Sequence, residues 1–462
     1  MFKPNLFYID RVWLKAYPKF FSNLRVYEYM EIYRTYRASG VFQEMTDFFF
    51  KVYRSINCLK IAFKKGIPVD GPEKCEEVLR YGERDFANFS VFGDTVFIDG
   101  GVSLSFSKDQ ILESKFLTYT RVSGDRVVYE KVFYIPINSY MRIAVKPYLE
   151  RFTPPMIRIF LNAIEYAKQF VKMDYDGYQY VNENWVDPEV IDFKEFLKRN
   201  YELLGSELQH IISDIRKLWE FFFGREEELK VKVTQVELCF DSYVDKIKVL
   251  NALRLVASRS KTLKVDTVVD RKSGFYSWGN DVGLKYYLTV RKGFQIKLYS
   301  KAIKNGMLLN RLELTFNVNT DANVFKVGDL FNDEVVRVID DINLAMKDER
   351  ELGKVIELIK PYVRARKNKE LHYAFLLDLF LHGQVRGSGV YRELARLYKQ
   401  YGLIEVSGRG INSVYRLKPE YLAIHKRVRE VFEEFTNYVR EVRLSEIELK
   451  IKKPNNPRPR NQ

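Results

Sequence analysis

Three short segments carry side chains that could do chemistry together. In VELCFD (236–241), Glu237, Cys239 and Asp241 alternate with Val236, Leu238 and Phe240. In FQIKLYSK (294–301), Lys297, Tyr299 and Lys301 alternate with Ile296 and Leu298. In RLELTF (311–316), Arg311, Glu313 and Thr315 alternate with Leu312, Leu314 and Phe316. A strand sends successive side chains to opposite faces, so each segment buries an apolar face and presents a polar one. If the three strands are neighbours, the polar face collects three carboxylates, one tyrosine and two lysines. Carboxylate oxygens bind a hard divalent cation such as Mg²⁺ or Mn²⁺, which polarises a phosphate. A phenol is a competent nucleophile when its ionisation is eased. Attack on a phosphodiester would leave a protein–DNA ester and conserve the bond energy for rejoining. The same alternation occurs in any half-solvated antiparallel strand, so the fold has to decide.

The elements around these segments read as a mixed chain. Its 462 residues are enough for two to four domains, at about 100–200 residues each. Lys plus Arg is 76 against 61 for Asp plus Glu, a formal charge of +15, and a polyanion is the leading partner. Three cysteines exclude a disulfide scaffold, and four scattered histidines exclude a histidine-built metal centre. There is no apolar run of about 18 residues and no signal-peptide pattern, so the expectation is a reduced, soluble, cytoplasmic protein without a membrane.

Tyr8 to Tyr17 reads as a strand, and Val26 to Tyr53 as helical. Short strands follow from Asn88 and end with 140–145. Pro154 and Pro155 are expected to open a helix whose stripe runs Met156, Ile159, Phe160, Ala163, Ile164, Ala167 and Phe170. Residues 174–188 form an acidic, aromatic loop. Ser206 and Gln209 suggest a capping box for a second helix. Leu229 to Asp241 is a long strand, and 331–360 is helical.

The order VTQVELCFD (233–241), KLYSK (297–301), RLELTF (311–316) resembles the replication initiators of rolling-circle elements. Most similar are the filamentous-phage replication endonucleases and the plasmid initiators lacking the His-hydrophobe-His motif. RIAVKPYLERF (142–152) and LFLHGQVRGSGVYRELARLYKQYGLIEV (379–406) are similar to further segments of that group, so the likeness covers about 140–406. It implies a site-specific single-strand endonuclease and ligase. In it Tyr299 is the nucleophile forming a 5′-phosphotyrosyl link, over the alternatives Tyr286 and Tyr287. Asp241, Glu313 and Glu237 are metal ligands, Lys301 faces the phosphate, and Lys297 and Arg311 are DNA contacts. The chain departs from the pattern where Lys304 and Asn305 stand in place of a glutamate after the Y-x-K lysine, and where Leu288–Thr289–Val290 replaces Gly-Ser. A noncatalytic DNA-binding regulator or packaging factor of the same fold is the alternative.

Residues 370–417 read as helices followed by a β-ribbon around Gly408–Arg409–Gly410, a winged-helix pattern with an amphipathic first helix at His372 to Phe380. Arg392, Arg396 and Lys399 would meet phosphates or base edges, with Arg409 at the wing tip and Arg416 on the ribbon. The tail 450–462 is basic and proline-rich. The expected fold is α+β: a Rep-type antiparallel nicking sheet plus a C-terminal winged-helix-like domain. Boundaries are 1–90 (supplying a first strand to the catalytic fold), 91–325 catalytic, 326–368 helical connector, 369–422 DNA-binding, and 423–462 helix and tail. Expected partners are single- and double-stranded origin DNA, a host helicase and polymerase, and a second copy in a homodimer.

Overall fold

The computed structural model describes residues 2, 6–21, 26–79, 85–123, 126–147, 154–171, 193–242, 245–258, 264–269, 281–302, 308–347, 349–364, 369–386, 391–408 and 413–434. The acidic loop 174–188, Lys304, Asn305, Arg409 and the basic tail lie outside them.

Ten antiparallel strands form one sheet. They are β1 (Tyr8–Pro18), β5 (Lys115–Ser123), β6 (Arg126–Pro136), β7 (Met141–Lys146), β8 (Met156–Asn162), β9 (Leu229–Ser242), β10 (Lys264–Val269), β11 (Asp281–Arg291), β12 (Phe294–Ala302) and β13 (Leu308–Asp321). Their order is β10-β11-β12-β13-β9-β1-β8-β7-β6-β5. A smaller sheet joins β2 (Asn88–Phe92), β3 (Thr95–Asp99) and β4 (Ser103–Ser107).

The large sheet has two halves with one path. In each, a central strand (β1 or β9) is followed by the strand at the far edge (β5 or β10). The chain then meanders back until its fourth strand (β8 or β13) pairs with the central one. β1 and β9 pair with each other and form the seam.

Helices pack on both sides of the sheet. α1 (Val26–Ala38), α2 (Val41–Lys65), α3 (Cys75–Leu79) and α4 (Lys108–Glu113) belong to the first half. α5 (Ala163–Ala167), α6 (Phe193–Glu202) and α7 (Ser206–Phe223) follow β8. Phe49 of α2, Phe222 of α7 and Phe133 of β6 meet at ring separations of 6.0–6.2 Å, a core packed by aromatic edges. α8 (Lys246–Ser258), α9 (Asp333–Lys347) and α10 (Glu349–Ile359) pack on the second half and on one another.

The C-terminal part runs α11 (Lys369–His382), β14 (Gln384–Arg386), α12 (Tyr391–Gln400), β15 (Ile404–Ser407) and β16 (Val414–Leu417), with its sheet ordered β14-β16-β15. Residues 422–434 are helical. This part is not a separate bead. Asp378 of α11 accepts from Arg254 of α8 at 2.8 Å, and Tyr286 of β11 donates to Glu370 of α11 at 2.8 Å. The architecture is α+β, with antiparallel sheets.

Several expectations are corrected. Residues 156–162 are a strand, because burial there alternates with period two: Ile157, Ile159 and Leu161 are in the core and Arg158 is exposed. The half-buried Phe160 on the polar side supplied the false helical spacing. Ser206 is the first residue of α7 rather than its cap; Gly205 stands at the N-cap with no side-chain hydrogen bond. The capping box that forms is Ser107 with Gln110, on α4. α11 is buried on every side from His372 to Leu381, not amphipathic. Cys58 and Cys75 are joined in a disulfide where α2 meets α3, with Cα atoms 5.6 Å apart, so these two are not the reduced thiols expected. Among the described residues, no helix is long and apolar enough to cross a membrane.

Candidate active site

The register of β12, β13 and β9 sets Tyr299 opposite Arg311 and Lys297 opposite Glu313. It also sets Glu313 opposite Cys239, Arg311 opposite Asp241, and Thr315 opposite Glu237. The three polar faces therefore merge into one. β1 closes the group from the seam. Tyr8 stands opposite Cys239, and a bulge between Ile9 and Arg11 inserts Asp10 as an extra residue. An extra residue shifts the alternation, and both Asp10 and Arg11 reach the polar side.

Two hydrogen-bonded clusters fill this face. The first surrounds Arg311, which is wholly buried. Its Nε and Nη2 donate to the two oxygens of Asp241, each at 2.7 Å. Its Nη1 donates to Asp10 Oδ2 at 3.0 Å, and Nη2 also reaches Tyr8 Oη at 2.8 Å. Tyr8 in turn donates to Asp241. Burial alone would disfavour the guanidinium charge; Asp241, Cys239, Tyr8 and Asp10 outweigh it and hold the group protonated. Phe196 of α6 lies edge-on over the Tyr8 ring at 5.6 Å and covers this corner.

The second cluster holds Tyr299. Its hydroxyl donates to Glu313 Oε2 at 2.6 Å. Lys297 Nζ bridges Glu313 Oε1 at 2.5 Å and Glu237 Oε1 at 2.8 Å. Thr315 Oγ1 adds a bond to Glu313 at 3.1 Å, and Gln235 Nε2 one to Glu237 at 3.1 Å. The two carboxyls are driven apart. Burial and then the charge of Glu313 push Glu237 up to about 7. Burial also opposes ionisation of Glu313, but Lys297 and the Tyr299 hydrogen bond prevail and hold it below the ordinary range. Burial, then Glu313, raises Tyr299 well above an ordinary phenol.

The structure thus brings together Tyr299, Glu313, Glu237, Asp241, Lys297 and Arg311. It corrects the role expected of Arg311, which is too deeply buried and too fully bonded to touch DNA. Lys297, with its side chain 18% exposed, is turned inward onto two carboxylates instead of outward to a strand. The expected ligand set of Asp241, Glu237 and Glu313 is not brought together around one point: Asp241 turns to Arg311 and Tyr8, while Glu237 and Glu313 turn to Lys297. A different set does. Asp10, Cys239 and Glu313, all buried, offer ligand atoms within 4.8 Å of one another. Two carboxylates fit a hard divalent cation, and the thiol shifts the preference from Mg²⁺ towards Mn²⁺ or Zn²⁺. Lys301 has its backbone in β12; its side chain lies outside the described residues.

Tyr8, Asp10 and Arg11 were not foreseen as members of the site. The signal was the charged pair Asp10–Arg11, which interrupts the alternation of an otherwise strand-like run. In the C-terminal part, Arg392, Arg396 and Lys399 are exposed along α12, while Leu394, Ala395 and Tyr398 face inward. Arg416 is exposed on β16, between Gln384 and Glu405. Compared with family models, with curated proteins and with solved structures, the chain matches none.

Proposed function

We propose that this protein is a DNA-nicking and strand-transferring enzyme that uses Tyr299 as its nucleophile, of the kind that initiates rolling-circle replication. The observation that carries the reading is the Tyr299 hydroxyl donating to Glu313 Oε2 at 2.6 Å, on a face where Lys297 holds a second carboxylate alongside. A phenol aimed at a charged carboxylate has its proton acceptor in place. The phenolic oxygen attacks phosphorus as Glu313 takes its proton. The P–O3′ bond breaks, and the leaving 3′ oxygen takes a proton from Glu237. The product is a 5′-phosphotyrosyl ester and a free 3′-hydroxyl, and reversal rejoins the strand. Asp10, Glu313 and Cys239 are the residues that would hold a divalent cation, which when bound offsets charge on the phosphate. Tyr299 is 4% exposed, so a docking strand has to open the cover over it.

The C-terminal part supports the reading as a winged-helix-like module. α12 presents Arg392, Arg396 and Lys399 to a duplex, and the β15–β16 ribbon presents Arg416. The resemblance supplies the remaining partners: single- and double-stranded origin DNA, a host helicase and polymerase, and a homodimer.

The test is an origin-derived single-stranded oligonucleotide incubated with Mn²⁺ and resolved on a denaturing gel. A covalent protein–DNA band that disappears in Tyr299→Phe is expected. The second reading, a noncatalytic DNA-binding protein, is favoured by the near-complete pairing of the buried carboxylates. Failure to form the band across metals and candidate origins, with duplex binding intact, would establish it.

A further inference from the structure

The two halves of the large sheet share a path, so their positions can be matched residue by residue. Aligning Arg158 of β8 with Arg311 of β13 brings every ladder into step. Ala144 pairs with Arg158 as Tyr299 pairs with Arg311, and Arg142 pairs with Phe160 as Lys297 pairs with Glu313. Across the other edge, Trp13 pairs with Phe160 as Cys239 pairs with Glu313, and Lys15 pairs with Arg158 as Asp241 pairs with Arg311. Arg11 and Glu237 are equivalent positions and pair with each other across the seam, as a twofold relation requires.

The first half therefore carries a counterpart of the site with its chemistry removed. Alanine stands for the tyrosine, phenylalanine for Glu313, tryptophan for the cysteine and lysine for Asp241. The cations remain: Arg142, Lys146 and Arg158 stand where Lys297, Lys301 and Arg311 do. Lys15 is set directly between Arg158 on one neighbouring strand and Lys232 on the other. Like charges directly opposite one another destabilise a sheet. Burial and then Arg158, Lys232 and Lys146 all disfavour the Lys15 charge. Next to this row is a cleft of about 200 Å³, lined by Trp13, Phe160, Tyr134, Tyr140 and Arg142 among others. Glu113 approaches Arg142 at 3.7 Å. Arg11 also lines the cleft and is within electrostatic reach of Tyr299, Glu313, Glu237 and Asp10, so it stands between the cleft and the buried site.

We infer that the first half is a strand-holding subsite: a single strand of nucleic acid lays its phosphates along Arg158, Lys15 and Lys232 and places bases against Trp13 and Phe160. A row of repelling cations beside a half-buried aromatic cleft fits a flexible polyanion with flat faces. The direction of the strand, leading over Arg11 to Tyr299, rests on the nicking reading; the subsite itself does not.

The test is fluorescence anisotropy of a fluorescein-labelled oligothymidylate titrated with the full chain. Trp13→Ala should weaken binding about ten-fold, and Trp13→Phe should restore most of it. Lys15→Gln combined with Arg158→Gln should weaken binding and flatten its salt dependence. Wild-type protein photocrosslinked to a strand carrying 5-iodouracil should map to Trp13, Phe160 or Tyr134, which does not depend on any variant folding. Wild-type affinity in both Trp13→Ala and the double cation variant overturns the inference. So do crosslinks confined to 391–417, or an equal loss of heparin binding in Trp13→Ala. Trp13-dependent binding without any Tyr299 adduct would overturn the nicking reading and leave the subsite standing. An adduct with Trp13-independent binding would overturn the subsite alone.

Discussion

Arg311 is the side chain on which the site depends. It is wholly buried, and its donors are shared among Asp241, Asp10 and Tyr8. Removing one partner of such a group leaves charge without compensation, at a cost of about 3–5 kcal/mol. Arg311→Met should therefore lower stability by about that amount in urea unfolding, and Arg311→Lys should recover only part of it, because an ammonium cannot bond both oxygens of Asp241 in the plane of a fork. At this scale the sequence was informative about identity and less so about role. Alternation placed Glu237, Tyr299, Arg311 and Glu313 on polar faces. It could not show that Arg311 and Lys297 spend their charge inside the protein, because that depends on which strands become neighbours. It could not show Asp10 at all, because a bulge changes the period from which facing is read.

At the scale of elements, the strands around the site were legible wherever one side is apolar and the other polar. The turn at Lys292–Gly293, where Gly293 adopts φ +92°, joins β11 to β12. β8 was not legible, since it lies inside the sheet and its polar side carries Phe160 beside Arg158. α11 shows the same limit in a helix, being packed against α10, α12, β14 and β16 and hydrogen-bonded to α8. Its His372 is buried, with Nδ1 2.9 Å from the Tyr398 hydroxyl. Burial lowers the pKa of His372 from its ordinary 6.5. The unfolded chain then binds the proton more readily, so stability is intact above about pH 6.5 and declines as the pH falls through the lowered value. The melting temperature should drop on acidification from pH 7 to 5, and His372→Gln should make that acid limb shallower; an unchanged limb would remove His372 as its cause.

For the whole molecule, the formal charge of +15 is not spread evenly over function. Part of it is neutralised within the site, part forms the cation row on the first half of the sheet, and part is exposed on α12 and β16. Composition alone raised the expectation of a polyanion partner but could not separate these three placements of charge. The twofold path of the sheet was likewise hidden, since RIFL (158–161) and RLEL (311–314) become comparable only once their ladders are known. The disulfide ties α2 to α3 across 17 residues. A loop of that length constrains the unfolded chain by about 3 kcal/mol. Adding a reductant, or making Cys58→Ser, should lower the melting temperature of the intact chain, and an unchanged melt would show that the crosslink contributes nothing to folding.

The seam has a consequence for how the chain comes into being. The second strand-partner of β1 is β9, and Tyr8 meets Cys239 across 231 residues, from 239 − 8. A ribosome must therefore make half of the polypeptide before the first strand can acquire its second neighbour. Until then β1 is the open margin of a five-stranded sheet made of the first half alone. Unpaired strand margins invite other chains to add to them. The half-made protein is most exposed to misassembly at the place where, once finished, it is most deeply enclosed.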